Sequence, residues 1–122
     1  MIDDDLAAIE AAVQSYFDGM HECDAGKLER AFHPTARIQG YVGESMKSIT
    51  REEFTGFVGS LESRRSAGEA FDMQIASIDR TGRAAVAKVT MRWNGHSYTD
   101  YLALIKRDEG WSISEKTFFS PS

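Results

Sequence analysis

One aspartate, Asp100, stands among apolar neighbours and is the first candidate for chemistry in this chain. Tyr98 and Leu102, two positions to either side, would share its face in a strand, because successive side chains point to opposite faces. A carboxylate among apolar side chains loses hydration, and its pKa rises toward the range of a general base. Asp100 is therefore the candidate catalytic base.

A histidine is the second candidate, because imidazole has an ordinary pKa close to neutral pH. His33 lies where a helical pattern ends before Pro34, at a position that can face the mouth of a pocket. There it could exchange protons with a ligand, jointly with Asp100. The structural alternative is that the ring only hydrogen-bonds a backbone group at the helix end.

Asp100 also has a structural alternative, which depends on Lys116. If strand pairing brings the two side chains together, they form a buried ion pair that fixes the strand register. The ammonium group would then lower the pKa of the carboxylate and make it a poorer base at neutral pH. The sequence leaves both interpretations open.

Metal and nucleophile chemistry are not indicated. His21, Cys23 and Asp24 are close in sequence, but their spacing matches no zinc pattern and a further set of ligands is missing. The sequence has neither a Gly-x-Ser-x-Gly nucleophile motif nor a phosphate-binding glycine loop. We therefore predict no metal and no cofactor.

These candidates must be positioned by helices in the first half of the chain. The first helix begins near Asp4 and carries an apolar stripe over about five turns. Asp24 caps a short second helix, which must end before Pro34 because proline disfavours helical geometry at the preceding residue. Thr50 and Glu53 have the spacing of a capping box and start a third helix.

The second half of the chain changes to the two-residue period of strands. Strands are predicted at 36–39, 71–79, 83–93, 97–107 and 111–119. Helices first and antiparallel strands last indicate an α+β fold. We predict a single domain over residues 1–122, with the helices packed on one face of a strongly curved mixed or antiparallel sheet.

Two turns set the register of the last strands. Asn94-Gly95 suits a two-residue turn, so that antiparallel partners keep a constant index sum and Asp100 lies opposite Val89.

A glycine bulge at Gly110 is predicted to place Arg107 opposite Trp111. In that register Lys116 is one step diagonal from Asp100, within reach of its long side chain.

The inner face of this sheet and the helices would enclose a pocket lined by aromatic and sulfur-containing side chains. The predicted ligand-binding residues are Tyr16, Tyr41, Phe54, Phe57, Met73, Met91, Trp93, Tyr98, Lys116 and Phe118. A small, largely apolar or aromatic molecule is the expected ligand.

The outer face of the sheet interleaves aromatic residues with threonines and charged residues, which is more than a solvated face requires. Its members are Lys88, Thr90, Arg92, Thr99, Tyr101, Glu115, Thr117 and Phe119. Such a composition suits a two-fold interface between identical chains, and we predict a homodimer through this face.

The composition indicates which classes of binding partner and which cellular compartment to expect. The net charge is −5, and no basic cluster could follow a phosphate backbone, so nucleic acid is not an expected partner. No run approaches the roughly 20 apolar residues of a membrane-spanning helix. An acidic N-terminus without a signal-peptide pattern and a single cysteine, Cys23, predict a cytoplasmic protein.

Three segments, taken in order, resemble one family. They are AAVQSYFDGMHECDAGKLERAFHPTARIQGYVG, SITREEFTGFV and IASIDRTGRAAVAKVTMRWNGHSYTDYLALIKRDEGWSISEKTFF. Together they are similar to the lumazine-binding branch of the nuclear transport factor 2-like superfamily, also called SnoaL-like or cystatin-like. That superfamily shares its fold with ketosteroid isomerase, scytalone dehydratase and polyketide cyclases. The resemblance implies a cone-shaped α+β barrel with an internal pocket, usually a homodimer.

The resemblance and the candidate residues leave two functions open. The first is a small-molecule-binding domain that holds its ligand in the cone. The alternative is a cofactor-independent isomerase, dehydratase or cyclase, with Asp100 as base and His33 as proton donor or acceptor. A tyrosine, Tyr16 or Tyr98, would then polarise a carbonyl oxygen. The superfamily's enzymes share no single catalytic motif, so the resemblance itself assigns no role to these residues.

Overall fold

A computed structural model describes residues 3–121, and it contains three helices. They are α1 (Asp4–Glu22), α2 (Ala25–Ala31) and α3 (Arg51–Gly59). The side chain of Asp3 accepts a hydrogen bond from the backbone at the start of α1, and Asp24 does the same for α2. The predicted helices are therefore confirmed, with acidic caps at the positive ends of the first two.

The capping box of α3 is also confirmed. The Thr50 hydroxyl accepts from the backbone N–H of Glu53 at 3.1 Å, and the Glu53 carboxylate accepts from the backbone N–H of Thr50 at 3.0 Å. This reciprocal pair satisfies two backbone donors that a helix start otherwise leaves unpaired.

One six-stranded sheet, in the order β2-β1-β6-β5-β4-β3, makes up the rest of the fold. Its strands are β1 (Phe32–Val42), β2 (Ser45–Thr50), β3 (Met73–Thr81), β4 (Ala84–Trp93), β5 (His96–Arg107) and β6 (Gly110–Ser120). All neighbours are antiparallel except β1 and β6, which run parallel. The sheet is curled but not closed, and the fold class is α+β as predicted.

The first two strands differ from the prediction. β1 is longer than residues 36–39 and begins at Phe32, directly after α2. β2 was not predicted, because its sequence, SMKSIT, is mostly polar and does not alternate. As an edge strand it pairs only with β1, so most of its side chains face water and carry no period-two signal.

The predicted register between β4 and β5 is confirmed. Asp100 lies opposite Val89, and the turn that joins the strands consists of Asn94 and Gly95, both with positive φ. This conformation is the one that a type I′ hairpin turn requires.

Between β5 and β6, Lys116 lies opposite Leu102, one step diagonal from Asp100 as predicted. The bulge at Gly110 that was predicted to produce this register is wrong. Arg107 pairs with Gly110, so there is no bulge at the turn that places it opposite Trp111.

The extra residue lies further along β6, at Ser114, where the register shifts between the pairs Leu104–Ile113 and Ala103–Glu115. The Ser114 hydroxyl donates to the carbonyl oxygen of Ala103 at 3.1 Å. A bulge bends its strand and increases the local twist, which suits a sheet that curls around its core.

The core fills the space between the helices and the concave face of the sheet. Its largest fully buried apolar side chains are Tyr16, Phe32, Ile9, Leu28, Ile38, Leu102, Leu104, Ile113, Val13, Val58 and Val89. Among the helices of residues 3–121, none combines the length and apolar character needed to cross a membrane.

Candidate functional site

A cavity of about 490 Å³ lies between α3 and the concave face of the sheet. Side chains from α1, α3 and every strand except β3 contribute to its wall. The lining residues are Met20, Ile38, Val42, Lys47, Ile49, Glu53, Phe54, Phe57, Val58, Met91, Trp93, Asn94, His96, Tyr98, Lys116 and Phe118.

Lys116 is the buried charged member of this lining. Its residue surface is only 4% exposed, and its Nζ lies over three aromatic rings. The distances from Nζ to the ring centroids are 4.7 Å for Phe54, 5.1 Å for Phe118 and 5.1 Å for Tyr16. All three lie within the range of a cation–π interaction, which offsets part of the hydration that the ammonium group has lost.

Asp100 lies beside the cavity, not in its lining. Its carboxylate is wholly buried, and Oδ2 is 3.9 Å from Lys116 Nζ, so the predicted ion pair is present without a direct hydrogen bond. The Tyr16 hydroxyl donates to the same oxygen at 2.5 Å. Among residues 3–121, Oδ1 has no hydrogen-bond partner.

Burial is the largest cause of the pKa shifts of Asp100 and Lys116. It raises the pKa of Asp100, while Lys116 and the Tyr16 hydrogen bond act in the opposite direction. It lowers the pKa of Lys116, and the charge of Asp100 opposes this. The ammonium does lower the pKa of Asp100, as predicted, but desolvation outweighs this effect and the net shift is upward. The two shifts therefore bring the pKa values of the carboxyl and ammonium groups closer together than they are in water.

Two tyrosines are held in their neutral form near the same carboxylate. Burial and the negative charge of Asp100 raise the pKa of Tyr16 well above its ordinary value. Burial and the same charge also raise the pKa of Tyr98, whose ring lines the cavity. Both hydroxyls therefore keep their proton over the physiological pH range; that of Tyr16 donates to Asp100, and that of Tyr98 has a proton to donate.

His33 lies outside the lining of this cavity, whereas the sequence placed it where it could face the mouth of a pocket. Its Nδ1 accepts from the backbone N–H of Thr35 at 3.2 Å and lies 2.8 Å from the Thr35 hydroxyl. The physical reason is that β1 begins at Phe32, four residues before the predicted start at residue 36. Phe32 points into the core, so the next side chain takes the opposite face.

Seven of the ten predicted ligand-binding residues lie in the lining. They are Phe54, Phe57, Met91, Trp93, Tyr98, Lys116 and Phe118. The other three, Tyr16, Tyr41 and Met73, lie outside it. Tyr16 is wholly buried and acts on Asp100, Met73 packs in the core opposite Met91, and Tyr41 is 46% exposed on the outer face.

The sequence prediction missed several lining residues, and for some of them a signal was present. His96 pairs with Trp93 across the Asn94-Gly95 turn, so the register already places both on one face. Lys47 and Ile49 were missed because β2 carries no strand pattern. The apolar residues Met20, Ile38, Val42 and Val58 also belong to the lining.

Within residues 3–121, no group of three His, Cys, Asp or Glu side chains is placed to hold a metal ion. The Cys23 thiol instead donates to backbone carbonyl oxygens of Met20 and Glu62. The cavity therefore offers a single buried amine in an apolar and aromatic wall. Such a wall holds a ligand by burying its surface, and the amine can bind a carbonyl oxygen, bind an anion or react as a nucleophile.

Comparison with protein families and curated proteins places these features in context. The model of a family described as "Putative lumazine-binding" matches residues 4–119. Aldolase FrzH from Cladobotryum sp is 26% identical over 115 residues, covering 93% of this chain and 89% of the relative.

Solved structures share the fold over nearly their whole length. An NTF2-like protein from Silicibacter pomeroyi superposes with a TM-score of 0.84 at 24% identity, covering 94% of both chains. An NTF2-like protein from Methylobacillus flagellatus has a TM-score of 0.81 at 26% identity, covering 100% of this chain and 96% of the other.

Proposed function

We propose that this chain, which belongs to the lumazine-binding family of the NTF2-like superfamily, binds a small, largely apolar or aromatic molecule in its cavity. One polar group of the ligand would face Lys116. The observation that supports this most directly is the cavity of about 490 Å³, whose aromatic wall surrounds one buried ammonium group.

The size and chemistry of the wall favour a ligand of drug-like dimensions. Cavities of roughly 300–1,000 Å³ that are mostly apolar with a few polar groups are typical of small-molecule sites. Phe54, Tyr98 and Phe118 present ring surface on which an aromatic ligand can stack.

The polar end of the ligand is expected to be a carbonyl or an anionic group. Among residues 3–121 the one ion-pair partner of Lys116 is Asp100, at 3.9 Å from Nζ. The ammonium group therefore retains hydrogen-bond donors for an acceptor on the cavity side. A bicyclic aromatic compound with ring carbonyls, such as lumazine itself, belongs to this class.

The test is the binding of the dye anilinonaphthalene sulfonate, an anionic aromatic probe, with lumazine as competitor. The variant Ile49→Trp puts a large ring into the lining, whereas Ile78→Trp enlarges a half-buried residue of β3 outside it. We expect dye binding to be lost in Ile49→Trp and kept in Ile78→Trp. Equal binding by both folded variants would contradict the proposed site.

A second candidate function is acid–base catalysis next to a carbonyl group. Two observations favour it: the raised pKa of Asp100, and the similarity to a relative that is named an aldolase. The Asp100 carboxylate is not in the lining, so it would have to reach the substrate's proton past the side chain of Lys116. The other predicted acid–base residue, His33, lies outside the cavity, so a role for it is harder to reconcile with this geometry.

Proton exchange tests this second function. Benzylacetone in deuterated buffer should exchange its α-protons faster with the protein than without it, as followed by NMR. The exchange should fall in Asp100→Asn and persist in His33→Gln. If the wild-type protein does not accelerate exchange, the enzymatic alternative is rejected while the binding function stands.

A further inference from the structure

We infer that Lys116 is a covalent attachment point, whose side-chain amine forms a Schiff base with an aldehyde or ketone held in the cavity. The inference rests on the proposed function, because the carbonyl compound must first enter the cavity. It adds a substrate class, aliphatic or aromatic carbonyl compounds, and a reacting atom, Lys116 Nζ.

The geometry gives Lys116 a position that no other described lysine has. Its Nζ is held among the rings of Phe54, Phe118 and Tyr16. An apolar carbonyl compound in the cavity would therefore meet an amine whose position is fixed by these side chains. Lys47 also lines the cavity, but it is exposed on the edge strand β2. A positioned nucleophile in an apolar site gains from orientation and from exclusion of water.

A free amine is needed for attack, and Asp100 can generate it. Burial lowers the pKa of Lys116 and raises that of Asp100 across a separation of 3.9 Å. When a carbonyl compound occupies the cavity, we propose that one proton moves from Nζ to this neighbouring carboxylate, which leaves an amine beside a carboxylic acid. The amine is the nucleophilic form of lysine.

The reaction balances with these two groups alone. The amine nitrogen forms a bond to the carbonyl carbon, the C=O π electrons move to oxygen, and a proton passes from nitrogen to that oxygen. This gives a neutral carbinolamine. The Asp100 carboxylic acid then protonates the hydroxyl, the C–O bond breaks and water leaves. The products are an iminium ion on Lys116, an Asp100 carboxylate and one water.

The side chains around Lys116 Nζ stabilise the iminium product as well as the initial ammonium group. The positive charge is on the same nitrogen before and after the reaction, so the three rings and the Asp100 carboxylate stabilise both cations. The released water leaves an apolar site, which favours the dehydrated iminium over the carbinolamine. Asp100 is thus the group that would take a proton from the Lys116 ammonium and later give it to the leaving oxygen.

The experiment is reductive trapping of the whole protein with hydrocinnamaldehyde and borohydride, followed by peptide mass mapping. We expect one adduct on Lys116 that is absent from Lys116→Met and retained in Lys88→Met, a control on the exposed outer face. Mapping the wild-type protein gives the answer even if Lys116→Met does not fold. An adduct confined to exposed lysines such as Lys47 and Lys88 overturns the inference.

Hydrocinnamyl alcohol, which cannot form an imine, separates the two proposals. If the alcohol displaces the dye from the cavity and the aldehyde still leaves Lys116 unmodified, the covalent step is wrong while cavity binding stands. If neither compound displaces the dye and no adduct forms on Lys116, the ligand class fails and the covalent inference fails with it.

Discussion

Asp100 and Lys116 each place an ionisable group where water is largely excluded, and each is tolerated because of the other. The carboxylate also accepts from Tyr16 through Oδ2, and the ammonium lies among three rings, so the desolvation of each charge is partly offset. A buried pair of this kind is weak evidence for stability, since desolvation offsets much of the attraction. Removing one partner, however, leaves the other uncompensated.

We expect Lys116→Met to lower the free energy of unfolding by about 3–5 kcal/mol at neutral pH, because it strands the buried carboxylate. Adding Asp100→Asn should recover much of this loss. The asparagine is uncharged, and its side-chain oxygen can still accept from Tyr16. Urea unfolding of the single and double variants measures both effects, and equal stability of the two would contradict the ion-pair argument.

The pH dependence of that difference provides a further check. The folded-state pKa of Asp100 lies above its unfolded value, so its destabilisation is absent at low pH and develops as pH rises through the folded pKa. The gap between Lys116→Met and the double variant should therefore narrow as the pH falls toward about 4, near the unfolded aspartate pKa. If the stability difference between the two variants instead widens on acidification, the folded-state pKa of Asp100 lies below its unfolded value and the argument is wrong.

For single residues, the sequence predicted the contact between Asp100 and Lys116 more accurately than the location of His33. Asp100 and Lys116 meet only because β6 has one extra residue relative to β5, and the sequence predicted that extra residue but placed it at the turn instead of at Ser114. The position of His33 depends on where β1 begins, which is four residues before the predicted start, and no local pattern decides that. Because successive side chains of a strand point to opposite faces, His33 faces away from the core once Phe32 faces into it.

At the scale of elements, the close contact between β1 and β6 depends on Gly40. It lies opposite Phe118 in the parallel ladder, and a Cβ at this position would overlap the Phe118 carbonyl oxygen and lie 2.7 Å from its Cγ. The missing side chain is what allows the Phe118 ring to lie over β1 and form part of the cavity wall.

Gly40→Ala should therefore destabilise the protein by about 1–3 kcal/mol and weaken dye binding, because Phe118 and its strand must shift. Gly56→Ala in α3 is the matched control, since a Cβ there meets nothing within 4 Å. In a helix interior that change should stabilise by about 0.5–1 kcal/mol. Thermal melts and dye titrations of both variants decide the matter, and a neutral Gly40→Ala would refute the close-contact argument.

The elements with strong periodic patterns were predictable, and those shaped by the sheet's curvature were not. α1 and the β4–β5 hairpin follow from apolar spacing and an Asn-Gly turn. The bulge at Ser114 and the edge strand β2 depend on how neighbouring strands bend around the core. That information lies in the packed sheet and is not a property of the local sequence.

At the scale of the whole molecule, the convex face of the sheet carries exposed apolar side chains. Tyr41, Met46, Tyr101 and Phe119 are all exposed there, and the strand register places Tyr41 beside both Met46 and Phe119. Aromatic residues and methionine are enriched at protein interfaces. We propose that two copies of the chain pair through this face about a two-fold axis.

Sedimentation velocity tests this assembly at micromolar concentration. We expect the wild type to be a dimer and Tyr101→Glu to be a monomer, because the new carboxylates would face each other across the axis. Phe57→Glu changes an equally exposed aromatic residue at the cavity, 57% exposed, and should remain dimeric. A dimer that survives Tyr101→Glu would place the interface elsewhere.

The parallel pairing of β1 with β6 also sets an order of events during folding. β4, β5 and β6 are joined by two-residue turns and can assemble from contacts that are local in the chain. β1 must wait for β6, which is synthesised only after every other strand, and such non-local pairing is slow. Until β1 docks, the concave face that later forms the cavity stands open at one edge. The newly made chain is thus most prone to aggregate in the interval before its first strand meets its last.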